Sequence, residues 1–310
     1  MKKPRPRVPS ALALGAAIVA ASSASILIRY AQEEATSLVI AAYRLAIATL
    51  ILAPVVGLRG RPALRAISAR NVRLTLLAGG FLAMHFATWI RSLEYTSVAS
   101  SIVLVQTTPL LVAALSPLLI HEPVLRRLAL GLLVATAGSL LVGYSDLCTG
   151  MGCPPAAEIL SGSALRGDLL ALAGAAAGAG YVLTGRVVRQ QVPLLPYIGI
   201  AYATAAVLLG LAAWRSGDPA VGFRPSTYLW LVLLAILPQL VAHSTYNWAL
   251  GFLPAAVVSL AQLGEAVGST VLAIPLLHES PSSLRIAGGG LILAGIVLGA
   301  GSGRRANSTS

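Results

Sequence analysis

Apolar runs of about 20 residues recur along the whole chain, separated by short polar or Pro/Gly joints, and that is the length a helix needs to cross a ~30 Å hydrocarbon layer. Ten such runs lie near 11–29, 36–56, 72–93, 97–120, 125–144, 166–187, 193–214, 227–250, 255–277 and 281–301. Lipid offers no partner to a backbone amide, so each run must bond within itself as a helix. Only 10% of the residues are charged and 57% are hydrophobic, against roughly 25% charged in a soluble domain. A water-soluble fold is therefore excluded. The expected fold is an all-α integral membrane protein with ten transmembrane helices.

The net charge of +12 does not point to nucleic acid, because the 22 basic residues are scattered over short loops and form no stripe. Their distribution reports topology instead. With the N-terminus in the cytoplasm, 15 basic residues fall inside and six outside: Arg29, Arg91, Arg166, Arg215, Arg224 and Arg285. That asymmetry predicts both termini inside. The N-terminus imitates a signal peptide, with Lys2, Lys3, Arg5 and Arg7 before an apolar run and small residues at Ser22–Ser25. The apolar character continues through Ile26, Leu27 and Ile28, which favours a retained first helix. Cys148 and Cys153 share the longest polar loop, on the outer side in this topology, where a disulfide and two free thiols are equal alternatives.

His121-Glu122-Pro123 overlays His278-Glu279-Ser280 at an offset of 157 residues, and Gly131 and Gly138 then fall on Gly288 and Gly295. Each copy holds five helices, an odd number, so the second must enter the membrane with opposite orientation. This is the inverted-repeat plan of many secondary transporters, whose substrate site lies between the halves. The expected organisation is a first repeat over 1–147, an extracytoplasmic loop over 148–165, a second repeat over 166–303 and a cytoplasmic tail over 304–310. Glu122 and Glu279 are expected to begin the fifth and tenth helices, where a carboxylate complements the helix dipole. Glycines seven apart share a helix face and admit a neighbouring backbone. These six residues are assigned a structural role.

The same residues resemble the drug/metabolite transporter superfamily, specifically its EamA-type ten-helix members. Each half of those proteins ends in Glu followed by Gly nine and sixteen residues later, as in Glu122, Gly131, Gly138 and Glu279, Gly288, Gly295. Gly167-Asp168-Leu169-Leu170-Ala171-Leu172 leading to Tyr181 is similar to that family's sixth helix, and Tyr43-Arg44-Leu45-Ala46 to its second. The chain departs where many members carry a tryptophan, having Ser22, Ser23 and Ser25 in the first helix and Gly178-Ala179-Gly180 in the sixth. The resemblance implies export of small metabolites by alternating access, the nearest members being bacterial exporters of aromatic and other neutral amino acids.

Polar side chains within apolar helices are the candidates for binding, because a charge at the bilayer centre costs roughly 2.5–3.5 kcal/mol on insertion scales. His85 and Trp89 lie one turn apart in the third helix, and Gln106 precedes Thr107-Thr108-Pro109 in the fourth. In the eighth, Gln239, His243 and Tyr246 form a stripe with Asn247 on its flank and Trp248 beyond; the ninth carries Gln262 and Glu265. With Tyr181, these line a site that is part aromatic and part polar, suited to a zwitterion with an apolar side chain. The alternative is that they bond across helices as packing glue. Trp248 equally fits an interfacial anchor. Glu265 and Arg44 are the charged residues deepest in these spans, and Glu265 either binds a substrate ammonium, carries a coupling proton, pairs with Arg44, or faces a water-filled vestibule with no specific role.

No H-E-x-x-H, phosphate loop or G-x-S-x-G occurs, so neither metal, cofactor nor catalytic machinery is expected. A multidrug or nucleotide-sugar carrier is the alternative within the transporter class, and a channel is the alternative outside it. The expected partners are a small-molecule solute and the lipid bilayer, with a monomer and a homodimer both open. The Arg to Lys ratio of 20 to 2 suggests a GC-rich bacterial genome and an inner-membrane location. Asn307-Ser308-Thr309 matches a glycosylation sequon on the cytoplasmic side of this topology.

Overall fold

The computed structural model describes residues 10–96, 98–147, 162–277 and 281–306. Cys148, Cys153, His278, Glu279 and the sequon lie outside them. No strand occurs among the described residues, and ten helical spans are long and apolar enough to cross a membrane. They run Ser10–Ala31, Ser37–Arg59, Ala69–Ser92, Ser100–Leu119, Arg126–Ser145, Ala164–Arg189, Leu194–Ser216, Pro225–Ala249, Ala255–Leu276 and Ser283–Ala300. Each begins within a few residues of the run expected from the sequence.

Four spans are not plain α-helices. The first is interrupted at Ser23, the fourth between Val105 and Thr108, and the ninth at Leu263; the eighth is a π-helix over Ala235–His243. Local chemistry explains the break in the fourth. Pro109 has no N–H to offer the Val105 carbonyl, and the Thr108 hydroxyl takes that acceptor instead at 2.7 Å, while Thr107 donates to Leu104 at 2.6 Å. In the eighth span Pro238 sits inside the π-segment, where i→i+5 bonding absorbs the missing donor.

The chain divides into two compact units, Met1–Ala83 with Gly180–Pro254 and Met84–Ala179 with Ala255–Ser310. The boundary falls within the third and sixth spans, so each unit draws helices from both repeats. In the first unit the second span packs along the seventh, and Ala41, Leu45 and Ala48 of the one and Ala201, Ala205 and Leu209 of the other are all buried. Lipid tails are as apolar as leucine, so close backbone approach by small residues, rather than a hydrophobic drive, holds such helices together.

Polar clasps bind both ends of this unit. At one end Arg224 joins Glu34 (Nε to Oε1, 2.6 Å) and Glu33 (3.2 Å), Thr227 donates to Glu34 at 2.6 Å, and Thr36 donates to Asp218 at 2.9 Å. Hydrogen bonds from the Thr227 hydroxyl and then from the Arg224 backbone and side chain hold the Glu34 carboxyl below its ordinary range. Past the second span, Asn71 donates to Gln191 at 3.0 Å. Gln191 is the image of Glu34 at the 157-residue offset, and Asn71 that of Tyr228, beside Thr227. One helix length separates the two clasps, so they cap opposite ends of the unit.

In the second unit the fifth and tenth spans cross through their glycines. A Cβ on Gly138 would lie 2.5 Å from the Gly288 carbonyl oxygen and one on Gly131 2.5 Å from that of Gly295, so the two backbones touch. Gly131 pairs with the image of Gly138, and the reverse, which is an antiparallel crossing. Glu122 departs from expectation: the fifth helix begins only at Arg126, and the carboxylate instead accepts from Ala255 N at 3.0 Å, capping the ninth span. His121 makes this possible with a left-handed φ of 56°, which turns the chain out of the fourth span. Gly167 and Asp168 also serve architecture, since Thr96 approaches the glycine closely and donates to the aspartate at 2.8 Å.

Candidate substrate site

The candidate residues separate into two kinds of environment. In the first unit Arg44, Gln239, Asn247, Tyr181 and Tyr246 are buried, and most join one hydrogen-bonded network. Arg44 Nε donates to Gln239 Oε1 at 2.8 Å; Asn247 Nδ2 donates to the Tyr181 hydroxyl at 2.6 Å, to Tyr202 at 3.4 Å and to the His243 carbonyl at 2.8 Å. Tyr202 bonds Ser244 at 3.2 Å and the Gln239 carbonyl at 3.4 Å. Tyr202 is fully buried and was not singled out in the sequence, although its hydroxyl in an otherwise apolar span was the available signal. His243 is half-buried with its ring 6.2 Å from that of Tyr246, and Trp248 packs edge-on against Phe252 at 4.6 Å.

In the second unit His85, Trp89, Gln106, Gln262 and Glu265 are all half-buried. The His85 and Trp89 rings stack at 5.8 Å and 24°, as their one-turn spacing allows. His85 Nδ1 lies 2.8 Å from the Gly174 carbonyl, so in the neutral ring Nδ1 carries the proton and Nε2 is the acceptor. Thr108 also donates to Ala175 at 3.2 Å, bringing the break of the fourth span against the sixth. Gly178 makes room for this meeting: a Cβ there would sit 3.0 Å from His85 Nδ1 and 3.3 Å from Thr108 Oγ1. Trp89 Nε1 is buried and bonds nothing among the described residues, a donor without its acceptor.

The breaks themselves are related by the repeat. Gln106, between the halves of the fourth span, maps at the 157-residue offset onto Leu263, between the halves of the ninth. Gln262 closes the half-helix Ala255–Gln262 and Glu265 lies in the first turn of Gly264–Leu277. The half-helix Thr108–Leu119 packs against Ala255–Gln262 within this unit. Free carbonyls and N–H groups at such breaks are the features with which membrane carriers hold polar solutes. Among the described residues no three His, Cys, Asp or Glu side chains form a metal cluster.

The family model of EamA-like transporters matches the chain twice, over residues 9–144 and 165–300. A crystal structure 20% identical in sequence superposes with a TM-score of 0.79 over 96% of this chain and 98% of that one, a likeness of fold. No curated protein matches the chain. The chain belongs to the EamA-like transporter family, within the drug/metabolite transporter superfamily, and is a multi-pass integral membrane transporter.

Proposed function

We propose that this transporter exports neutral amino acids with apolar or aromatic side chains by alternating access, from the cytoplasm of a bacterial cell across its inner membrane. The paired breaks of the fourth and ninth spans carry the reading. In it, the N-terminus of Thr108–Leu119, with Gln106 and Trp89 Nε1, takes the substrate carboxylate. Glu265 and Gln262 take the ammonium, and the His85–Trp89 stack accepts the side chain. A site with one acid and a ring pair, at helix breaks of both polarities, complements a zwitterion. The buried Arg44–Gln239–Tyr202–Asn247–Tyr181 network holds its own unit together instead.

A hydrophobic organic cation is the second reading, favoured by Glu265 in the same unit as two aromatic rings. Proteoliposomes preloaded with unlabelled phenylalanine, tryptophan or threonine, or with a cationic dye, and offered the corresponding labelled solute, decide between them. Saturable counterflow of the amino acids supports the first reading. Exchange of the dye alone transfers the site to drugs, and non-saturating flux without counterflow returns the protein to the channel class.

A further inference from the structure

A groove of about 740 Å³ runs along the first unit between the second, third and seventh spans. Its walls are Leu52, Ala53 and Val56 on one side and Leu76, Ala203 and Val207 on the other, with Arg61 at one end. Two hydroxyls border it, but Thr49 donates to its own helix at Leu45 (2.7 Å) and Thr204 to Ile200 (2.8 Å). Water would thus find no polar partner along the walls. The rim residues Leu76, Val207 and Leu208 are exposed, so the groove is open sideways where the spans meet lipid.

The end of the groove is basic, with Arg61 its one charged lining residue among the described residues. Arg61 follows the second span directly, is exposed, and makes no hydrogen bond or ion pair with any described residue. Arg59, Arg65, Arg70 and Arg73 share the segment, and no acidic residue lies between 59 and 73. An arginine at the end of an apolar channel, where a span ends, complements a molecule with a long tail and an anionic head.

We propose that this groove is a binding site for an anionic glycerophospholipid, one acyl chain lying against Ala53, Leu76 and Ala203 and the phosphate held by the Arg61 guanidinium. Arginine suits the phosphate because its planar fork donates two parallel hydrogen bonds. The site shares no residue with the breaks of the fourth and ninth spans and does not depend on what they carry.

Native mass spectrometry of the full chain, released from mixed micelles holding equal phosphatidylglycerol and phosphatidylcholine with identical acyl chains, tests it. Wild type is expected to retain phosphatidylglycerol about five-fold over phosphatidylcholine, the preference that one basic residue near a headgroup supplies. Arg61→Gln should reduce the ratio to parity while lipid is still carried. Ala53→Phe, which fills the groove from an exposed position, should shed both lipids, and Val207→Trp at the rim is a second blocking variant. Equal retention by wild type, a preference that survives Arg61→Gln, or undiminished lipid in both blocking variants overturns the proposal.

Discussion

The two units spend similar side chains in opposite ways. In the first, Arg44, Gln239, Tyr202, Asn247 and Tyr181 turn toward one another and are closed off. In the second, Gln106, Gln262 and Glu265 sit half-buried where helices stop and restart. The difference teaches that residue type alone does not set the environment of a polar side chain inside a membrane protein. What distinguishes the two regions is burial and whether the helix beside the polar groups runs on or stops.

Perturbing each region separately should break or sharpen this contrast. Glu265→Gln is expected to lower transport about ten- to hundred-fold, the loss of one charge-assisted hydrogen bond, with little change in thermal unfolding in detergent. Unchanged transport and unchanged pH dependence would remove Glu265 from the site. Asn247→Ala should do the reverse, destabilising by about 1–3 kcal/mol because two buried hydroxyls lose their donor, while the ranking of substrates in counterflow is preserved. A changed ranking would move Asn247 into the binding surface. Gly178→Ala should have a smaller effect, displacing His85 by a few tenths of an ångström and altering the preference between phenylalanine and threonine more than the total rate. Equal loss for both solutes would mean the His85–Trp89 stack does not contact the side chain.

The smallest effect concerns the clasps of the first unit. Glu34 has a folded pKa below its unfolded one, so its contribution is present above the unfolded value and lost as pH falls through the folded one. Proteolytic nicking of the 217–224 segment should therefore rise only on acidification below the ordinary glutamate range, and Glu34→Gln should abolish that pH step. The Asn71–Gln191 clasp has no titrating group, and Asn71→Ala should raise nicking near residue 191 equally at every pH.

Much of the fold was legible in the sequence because it follows from bilayer thickness: ten runs of the right length and a repeat fixed by His121-Glu122. The breaks were not legible in the same way. Pro54 lies inside the continuous second span, and Pro117 and Pro275 lie within half-helices away from the breaks, so proline alone does not interrupt a helix. The fourth breaks where Thr108 beside Pro109 also reaches Ala175, a contact made from another helix. The eighth span was read at a period of 3.6, which the π-segment over Ala235–His243 does not keep. The sequence located the polar residues, but which of them bond one another depends on helices distant in the chain: Arg44 meets Gln239 and Asn247 meets Tyr181. Glu122 likewise looked local and proved to serve the ninth span.

The glycine crossing has one more consequence. In a two-fold homodimer each surface patch meets its own copy, so residue i touches j and j touches i. Gly131 on Gly295 and Gly138 on Gly288 obey that rule with the two repeats standing in for the two subunits. A single polypeptide here carries the isologous interface that symmetric assemblies build from separate chains, and because the copies are joined, each can diverge alone while the seam stays self-complementary.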